Sequence, residues 1–422
     1  MLGFRWFYPG MRLKRWFLLM ALAAGILAMG FSGILGRQLV GIHYHTPLIQ
    51  EIDETIHHLK FDDFLMILIG ITLGVYAIRR AIYTVLTVLL PAREKEFVNI
   101  VYNQTRLKRG PRIVCVGGGT GLPNVLYGLK HFTSNLTAVV TVADDGGSSG
   151  RLRRDFGTPP PGDIRNCIVA LADQETLLND LFQYRFKSHG SLKGHSFGNL
   201  FITVMGEITG DFGKAVEESS KVLATRGTVM PVTFDSMSLQ ARLKNGKIIT
   251  GESNIPLAKS PITEVMLKEK KVRPNKEVLK AILEADAIVL GPGSLFTSII
   301  PNLLIKEVAE TIALSRAVKI FICNVMTQPG ETDFFTVSDH VRALFKHTGP
   351  NFVHYVMVNK EKVPTRLLSR YAAHGQEPVI VDEKEIKKLG PKVVRANLLN
   401  HEDFVRHNPE KLGKAIIRLL VI

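Results

Sequence analysis

From residue 111 onward the chain alternates short, uninterrupted apolar runs with longer stretches of mixed polarity. Residues 113–116, 136–143, 287–290 and 318–323 are rich in Val, Ile, Leu and Ala. Runs of this kind mark strands buried on both faces of a parallel sheet. Between them, residues 122–132, 275–284, 303–315 and 340–347 have helical spacing. A helical block is expected over 162–173, 176–186, 196–208 and 212–224. Residues 229–234 and 238–251, with Asn245-Gly246 as the turn, read as a small antiparallel β-hairpin insertion. Residues 262–267 and 352–358 add strands, while the stretch from Pro378 defines no clear element. The pattern predicts an α/β fold with a doubly wound, mostly parallel sheet, a helical block and a β-hairpin insertion.

The N-terminal part follows a different pattern. Residues 16–35 carry no charge and stand behind Arg12, Lys14 and Arg15; residues 64–90 form a second apolar run, broken by Arg79 and Arg80. Each is long enough to cross the hydrocarbon layer of a bilayer. Residues 1–110 are therefore read as a membrane hairpin, with transmembrane helices at about 16–36 and 64–90, plus a linker to a domain at 111–422. The second run argues against a cleaved signal peptide. Residues 37–63 hold two basic and five acidic side chains, whereas the outer flanks carry Arg5, Arg12, Lys14, Arg15, Arg93, Lys95, Arg106, Lys108 and Arg109. This asymmetry puts both termini and the main domain on the cytoplasmic side, with Arg79 and Arg80 snorkelling to the inner interface. His43, His45, His57 and His58 in the outer loop read as solvated side chains rather than metal ligands.

Composition adds limits. The formal net charge is +15, compatible with an anionic lipid or a phosphorylated ligand. Nucleic acid is not expected, because no basic stripe interleaved with aromatic residues is present. Cys115, Cys167 and Cys323 lack paired spacing, so neither disulfides nor a zinc site are signalled.

The candidate chemistry sits where apolar runs stop. The first ends at Gly117-Gly118-Gly119-Thr120-Gly121, the second at Asp144-Asp145 followed by five small residues and Arg151. Glycines after a buried strand let backbone approach a ligand, and the next helix start favours an anion. Leu122 stands where the dinucleotide fingerprint needs glycine, and no Walker lysine is present, so this is a phosphate-type turn of another kind. The plain alternative is a tight turn required by packing. Thr120 can cap a helix or hold a phosphate oxygen; Asp144 and Asp145 can cap a turn, hold a sugar hydroxyl or bind a divalent ion. Arg165 can pair locally with Asp163 or fork onto phosphate, with Asn166 free for a base or sugar. His195 reads equally as an acid, base or phosphate contact and as a satisfied structural group. Loops 117–121, 144–151, 291–294 and 324–332 all follow strands and should gather on one edge of the sheet. No nucleophile and base pair is identifiable.

Taken together, VGGGTGL, TVADDGGSSGRLR, PPPGDIRN, LFQYRF, GHSFGNL, TGESNIP, GPGSLFTSIIPNLL and ICNVMTQPGET, over about residues 112–359, resemble the gluconeogenesis factor family, the YvcK-like branch of the YvcK/CofD-like group. The resemblance implies a Rossmann-like CofD fold. It also implies a bacterial protein that binds UDP-sugars such as UDP-N-acetylglucosamine, requires no cofactor and links carbon metabolism to envelope synthesis and cell shape. Envelope-synthesis proteins and a homo-oligomer stay open as partners, because the sequence specifies neither the downstream partner nor the oligomeric state. No catalytic activity is established for this branch, whereas the CofD branch is a Mg²⁺-dependent transferase, which would make Asp144 and Asp145 metal ligands. By matching motif positions, the ligand site falls on Gly118, Gly119, Thr120, Gly121, Asp144, Asp145, Ser148, Arg165, Asn199, Gly293, Ser294 and Thr332. Asn166, His195, Phe296 and Asn324 join it from the same motifs. Phe296 stands where the family usually has Tyr, and Pro329 where it often has a basic residue, so both mark places where ligand preference would differ. The hairpin lies outside the resemblance.

Overall fold

Strands β1 (Ile113–Gly117), β2 (Leu136–Val140), β3 (Thr228–Pro231), β7 (Ala287–Leu290), β8 (Val318–Ile322), β9 (Tyr355–Asn359) and β10 (Lys392–Ala396) form one sheet in a computed structural model. The order is β10-β9-β8-β7-β1-β2-β3, and every pairing in it is parallel. The structure describes residues 13–41, 50–89, 105–173, 177–187, 190–258, 260–400 and 405–420. The chain divides into two compact units, up to residue 103 and from residue 104.

Alternation along β1 shows why its residues are all apolar. Ile113 and Cys115 join one core, Val114 and Val116 the other, because successive side chains point to opposite faces. On the first face, helix α3 (Gly121–Leu129) packs with Leu122, Val125, Leu126 and Leu129, beside the helices of the block at Gly162–Leu171 and Phe197–Thr209. On the second face lie Leu295, Ile299, Val308 and Ile312.

Three expectations are corrected. Residues 229–234 do not belong to the hairpin insertion: β3 pairs with β2 in the main sheet, while β4 (Leu239–Leu243), β5 (Ile248–Thr250) and β6 (Ile262–Leu267) form a separate antiparallel sheet. A strand-like run cannot reveal its neighbour until the crossover is known. The loop expected at 144–151 ends early, since residues Gly147–Phe156 are helical. The tail from Pro378 contributes β10 and a C-terminal helix, Pro409–Leu420, whose Leu412 and Ile416 share the core of α3.

The N-terminal unit is an antiparallel pair, α1 (Lys14–Gly41) and α2 (Gln50–Leu89). The apolar spans are Lys14–Ser32 and Asp63–Val85, and α2 begins well ahead of the span expected from residue 64. A Cβ on Gly30 would meet Ile67, and one on Gly70 would meet Leu27, so glycines let the helices close up. Most large apolar side chains face outward; Leu18 and Phe64 are 72% and 73% exposed. His43 and His45, and the side chains of His57 and His58, lie outside the described residues.

Candidate functional site

The order of the sheet fixes where a site can form. From β1 the chain runs outward through β2 and β3, then returns to the other side of β1 as β7 and continues through β8 to β10. The crevice between β1 and β7 is the point where winding reverses, the usual ligand position in open parallel sheets. Loops after β8, β7, β1 and β2 follow four adjacent strands, so they meet at one edge.

Gly118 is buried, and a Cβ there would lie 2.7 Å from Thr141 and 2.8 Å from the Asp163 carboxylate. Gly119 adopts φ +61°, a left-handed conformation that favours glycine. Its N–H donates to Asp163 Oδ2 at 2.6 Å. Thr120 is the N-cap of α3 and its hydroxyl makes no capping bond, leaving an exposed hydroxyl at the positive end of the helix. Gly121 packs directly on the Pro292 carbonyl, joining the turn after β1 to the turn after β7.

That second turn is held by Asn324. Its Oδ1 accepts from the Gly293 N–H at 3.1 Å and its Nδ2 donates to the Gly293 carbonyl at 2.8 Å. Gln328 donates to Ser294 Oγ at 2.7 Å. Between the turns opens a cleft of about 740 Å³, within the usual range for small-molecule sites. Gly119, Thr120, Gly121, Asn166, Gly293, Ser294 and Asn324 line it, with Tyr127 and Lys130 from α3 and Tyr371 and Arg406 from the C-terminal part. The tail also ties down α3, because Asn124 Nδ2 donates to the His407 carbonyl at 2.5 Å.

Beside the cleft stands a group of carboxylates. Asp144 accepts from the Gly146 N–H at 2.9 Å and Asp145 from the Ser253 N–H at 3.0 Å. Burial pushes Glu252 up to about 8, reinforced by Asp144, Glu331, Asp163 and Asp145. Burial likewise raises Glu331 to about 7 against its bond from Thr297, and its Oε2 has no hydrogen-bond partner. Asp163 is raised to about 6 by burial, against the Gly119 N–H and with the Asp144 charge adding to the rise.

The remaining expected residues divide into two sets. Ser148, His195, Asn199 and Arg165 are buried together: Ser148 Oγ lies 3.0 Å from His195 Nδ1 and accepts from Asn199 Nδ2 at 3.1 Å. They do not line the cleft. Burial, with Arg151 and Arg185, holds the His195 imidazole below its ordinary value despite Asp155. Burial also lowers Arg165 to about 10; its Nη2 donates to Asn166 Oδ1 at 2.7 Å and its Nε has no partner. Asp163 is thus engaged by Gly119 rather than by a local ion pair with Arg165.

Phe296 and Thr332 do not line the cleft. Phe296 belongs to a π-helical turn, Leu295–Ile299, is 1% exposed, and meets Phe335 and His347 edge-on at 6.1 and 6.3 Å. A Tyr-to-Phe difference there concerns core packing, not a ligand in the cleft. Thr332 is fully buried and its Oγ1 accepts from the Gln328 N–H at 2.9 Å, shaping the loop. The sequence pattern presents Asp163 only as a local partner of Arg165 and does not single out Glu252, Gln328 or Glu331, although TGESNIP and MTQPGET contain them. Tyr371 and Arg406 gave no local signal.

A family model described as 2-phospho-L-lactate transferase CofD matches residues 113–399. The gluconeogenesis factor of Bacillus subtilis is 47% identical over 74% of this chain and 98% of its own length. A Nostoc sp. relative is 45% identical over 98% of this chain and 92% of its own. A crystal structure of a Bacillus halodurans protein, 48% identical, covers 73% of this chain and 99% of its own with a TM-score of 0.71. With its CofD-like sheet and these relatives, the chain belongs to the gluconeogenesis factor family.

Proposed function

We propose that this protein is a membrane-tethered regulator that binds a UDP-sugar on the cytoplasmic face and links carbon metabolism to envelope synthesis and cell shape. The observation that carries the reading is the contact of Gly121 with the Pro292 carbonyl, which brings two strand-end turns together at the mouth of one cleft. A helix N-terminus with a free hydroxyl suits a diphosphate, and the amide of Asn166 and the ring of Tyr127 suit a base or sugar. Calorimetry with UDP-N-acetylglucosamine on the full chain in detergent tests this, and absence of binding at millimolar ligand refutes it. The hairpin, with outward apolar side chains and its cations at one end, supports the tether. Detergent should release the protein from membranes and alkaline carbonate should not.

A second reading, a CofD-like transferase, is favoured by the description of the matching family model and by the carboxylates beside the cleft. Among the described residues no group of three or more His, Cys, Asp or Glu is placed to hold a metal ion. Mg²⁺ commonly binds through one or two carboxylates plus ligand phosphates, the role this reading gives Asp144 and Asp145. Metal-dependent turnover of a nucleotide-linked substrate, abolished by Asp145→Asn, would establish it; metal-independent binding without product counts against it.

A further inference from the structure

One end of the helical hairpin carries a set of aromatic and cationic side chains that nucleotide binding does not use. Trp16 on α1 donates from Nε1 to Thr84 Oγ1 of α2 at 2.9 Å, and meets Tyr76 edge-on at 6.1 Å. The indole is thereby fixed between the helices. The Arg15 guanidinium lies over the Trp16 ring at 4.5 Å and the Arg80 guanidinium over the same ring at 6.0 Å. Arg80 also lies 5.6 Å from the Tyr76 ring and donates from Nε to Tyr76 Oη at 3.3 Å.

Two guanidinium groups set against one indole bring like charges near each other, which mutual repulsion opposes. Cation–π attraction offsets part of the cost, and an anion shared by both would offset the rest. Among the described residues, Lys14, Arg15, Arg79 and Arg80 have no carboxylate within ion-pair distance. Arg15, Arg79 and Arg80 are exposed, so donors other than Arg80 Nε remain available. Around them the surface is apolar: Phe17 and Leu18 on α1, and Ile82 and Tyr83 on α2, are all exposed. An anion reaching the arginines from that side must therefore be compatible with hydrocarbon beneath it.

We propose that Arg15 and Arg80, braced on Trp16 and Tyr76, form a binding site for the phosphate of an anionic glycerophospholipid, with Lys14 and Arg79 adding charge. Arginine forks match phosphodiester oxygens, and each basic side chain near an anionic leaflet adds attraction on the order of 1 kcal/mol. The site rests on the reading of residues 14–89 as a membrane hairpin, and it makes the cationic end a lipid-selective anchor rather than only a topology signal.

The test uses the full chain floated on vesicles of phosphatidylcholine alone or mixed with phosphatidylglycerol, followed by native mass spectrometry of lipid retained after detergent release. The parent should float on both and retain phosphatidylglycerol. Arg15→Gln/Arg80→Gln should still float on both and lose retention by about tenfold or more. Arg15→Lys/Arg80→Lys, which keeps charge without the fork, should fall between them. Flotation on both vesicles with no preference for phosphatidylglycerol overturns the headgroup site while leaving the hairpin reading standing. Failure to float on either overturns both. Displacement of the retained lipid by inorganic phosphate alone would assign the site to free phosphate and overturn the lipid assignment.

Discussion

Gly121→Ala tests the junction on which the candidate site depends. A Cβ at this position would be driven into the Pro292 carbonyl and would lie 2.9 Å from Gly293 Cα. The opposing atoms are backbone, so no side-chain rotation relieves the clash, and α3 must move away from the turn after β7. Overpacking of this kind costs about 1–3 kcal/mol. The favourable helix propensity of alanine over glycine, about 1 kcal/mol at most and smaller at a helix start, does not offset it. At about 2–4 °C per kcal/mol for a large domain, Tm should fall by about 2–12 °C. Gly117→Ala is the matched control, since its Cβ would find ordinary contact with Leu122 at 3.5 Å. Thermal unfolding and calorimetry with UDP-N-acetylglucosamine read both variants. Gly121→Ala should lose Tm and at least about tenfold in affinity, while Gly117→Ala stays near the parent in both. A Gly121→Ala protein with parental Tm and affinity would refute the close approach of the turns. Lowered Tm with unchanged affinity would place the ligand elsewhere.

Further outcomes follow from the same geometry. Asn324→Leu leaves the Gly293 N–H and carbonyl without their partner; stability should fall by about 1–3 kcal/mol in denaturant titration, with weaker ligand binding. Glu252, Glu331 and Asp163 have folded pKa values of about 8, 7 and 6, each raised above the unfolded value. Through these three groups the folded state holds extra protons from about pH 4 to about pH 8. Burial holds His131, His195, His340, His347, His354 and His407 below their ordinary value, which acts in the opposite sense up to about pH 6.5. Net stability should therefore decline as pH rises through the window from about pH 6.5 to about pH 8. Glu252→Gln should flatten the upper part of this decline and stabilise the protein at pH 8 by about 1–2 kcal/mol, after allowance for its partial exposure. A Tm series against pH that is flat for the parent would contradict the crowding of these carboxylates. Diphosphate affinity should also weaken over the upper half of the window, as negative charge accumulates beside the glycine turns; calorimetry at about pH 6 and about pH 8 decides it.

Local sequence determined the elements that local physics controls. The apolar runs at 113–116, 287–290 and 318–323 are strands because residues buried on both faces must be apolar throughout, and the φ of +61° at position 119 favours the glycine found there. The two apolar spans were legible for the same reason: their length and lack of charge are one-dimensional properties. Side-chain meetings across long separations were not legible. Whether residues 228–231 paired with β2 or with the hairpin, and whether Phe296 faced a ligand or the core, depended on crossovers that no window of sequence contains. The carboxylates Asp163, Glu252 and Glu331 come from three distant motifs, a helix start, the turn after β5 of the separate antiparallel sheet and the loop after β8, and only the tertiary fold brings them together. The tail from Pro378 showed no clear period, yet it supplies an edge strand and the backbone carbonyl of His407 that holds α3. Pattern reports which residues must be hidden from water; the order of strands in the sheet decides which of the polar ones share a site.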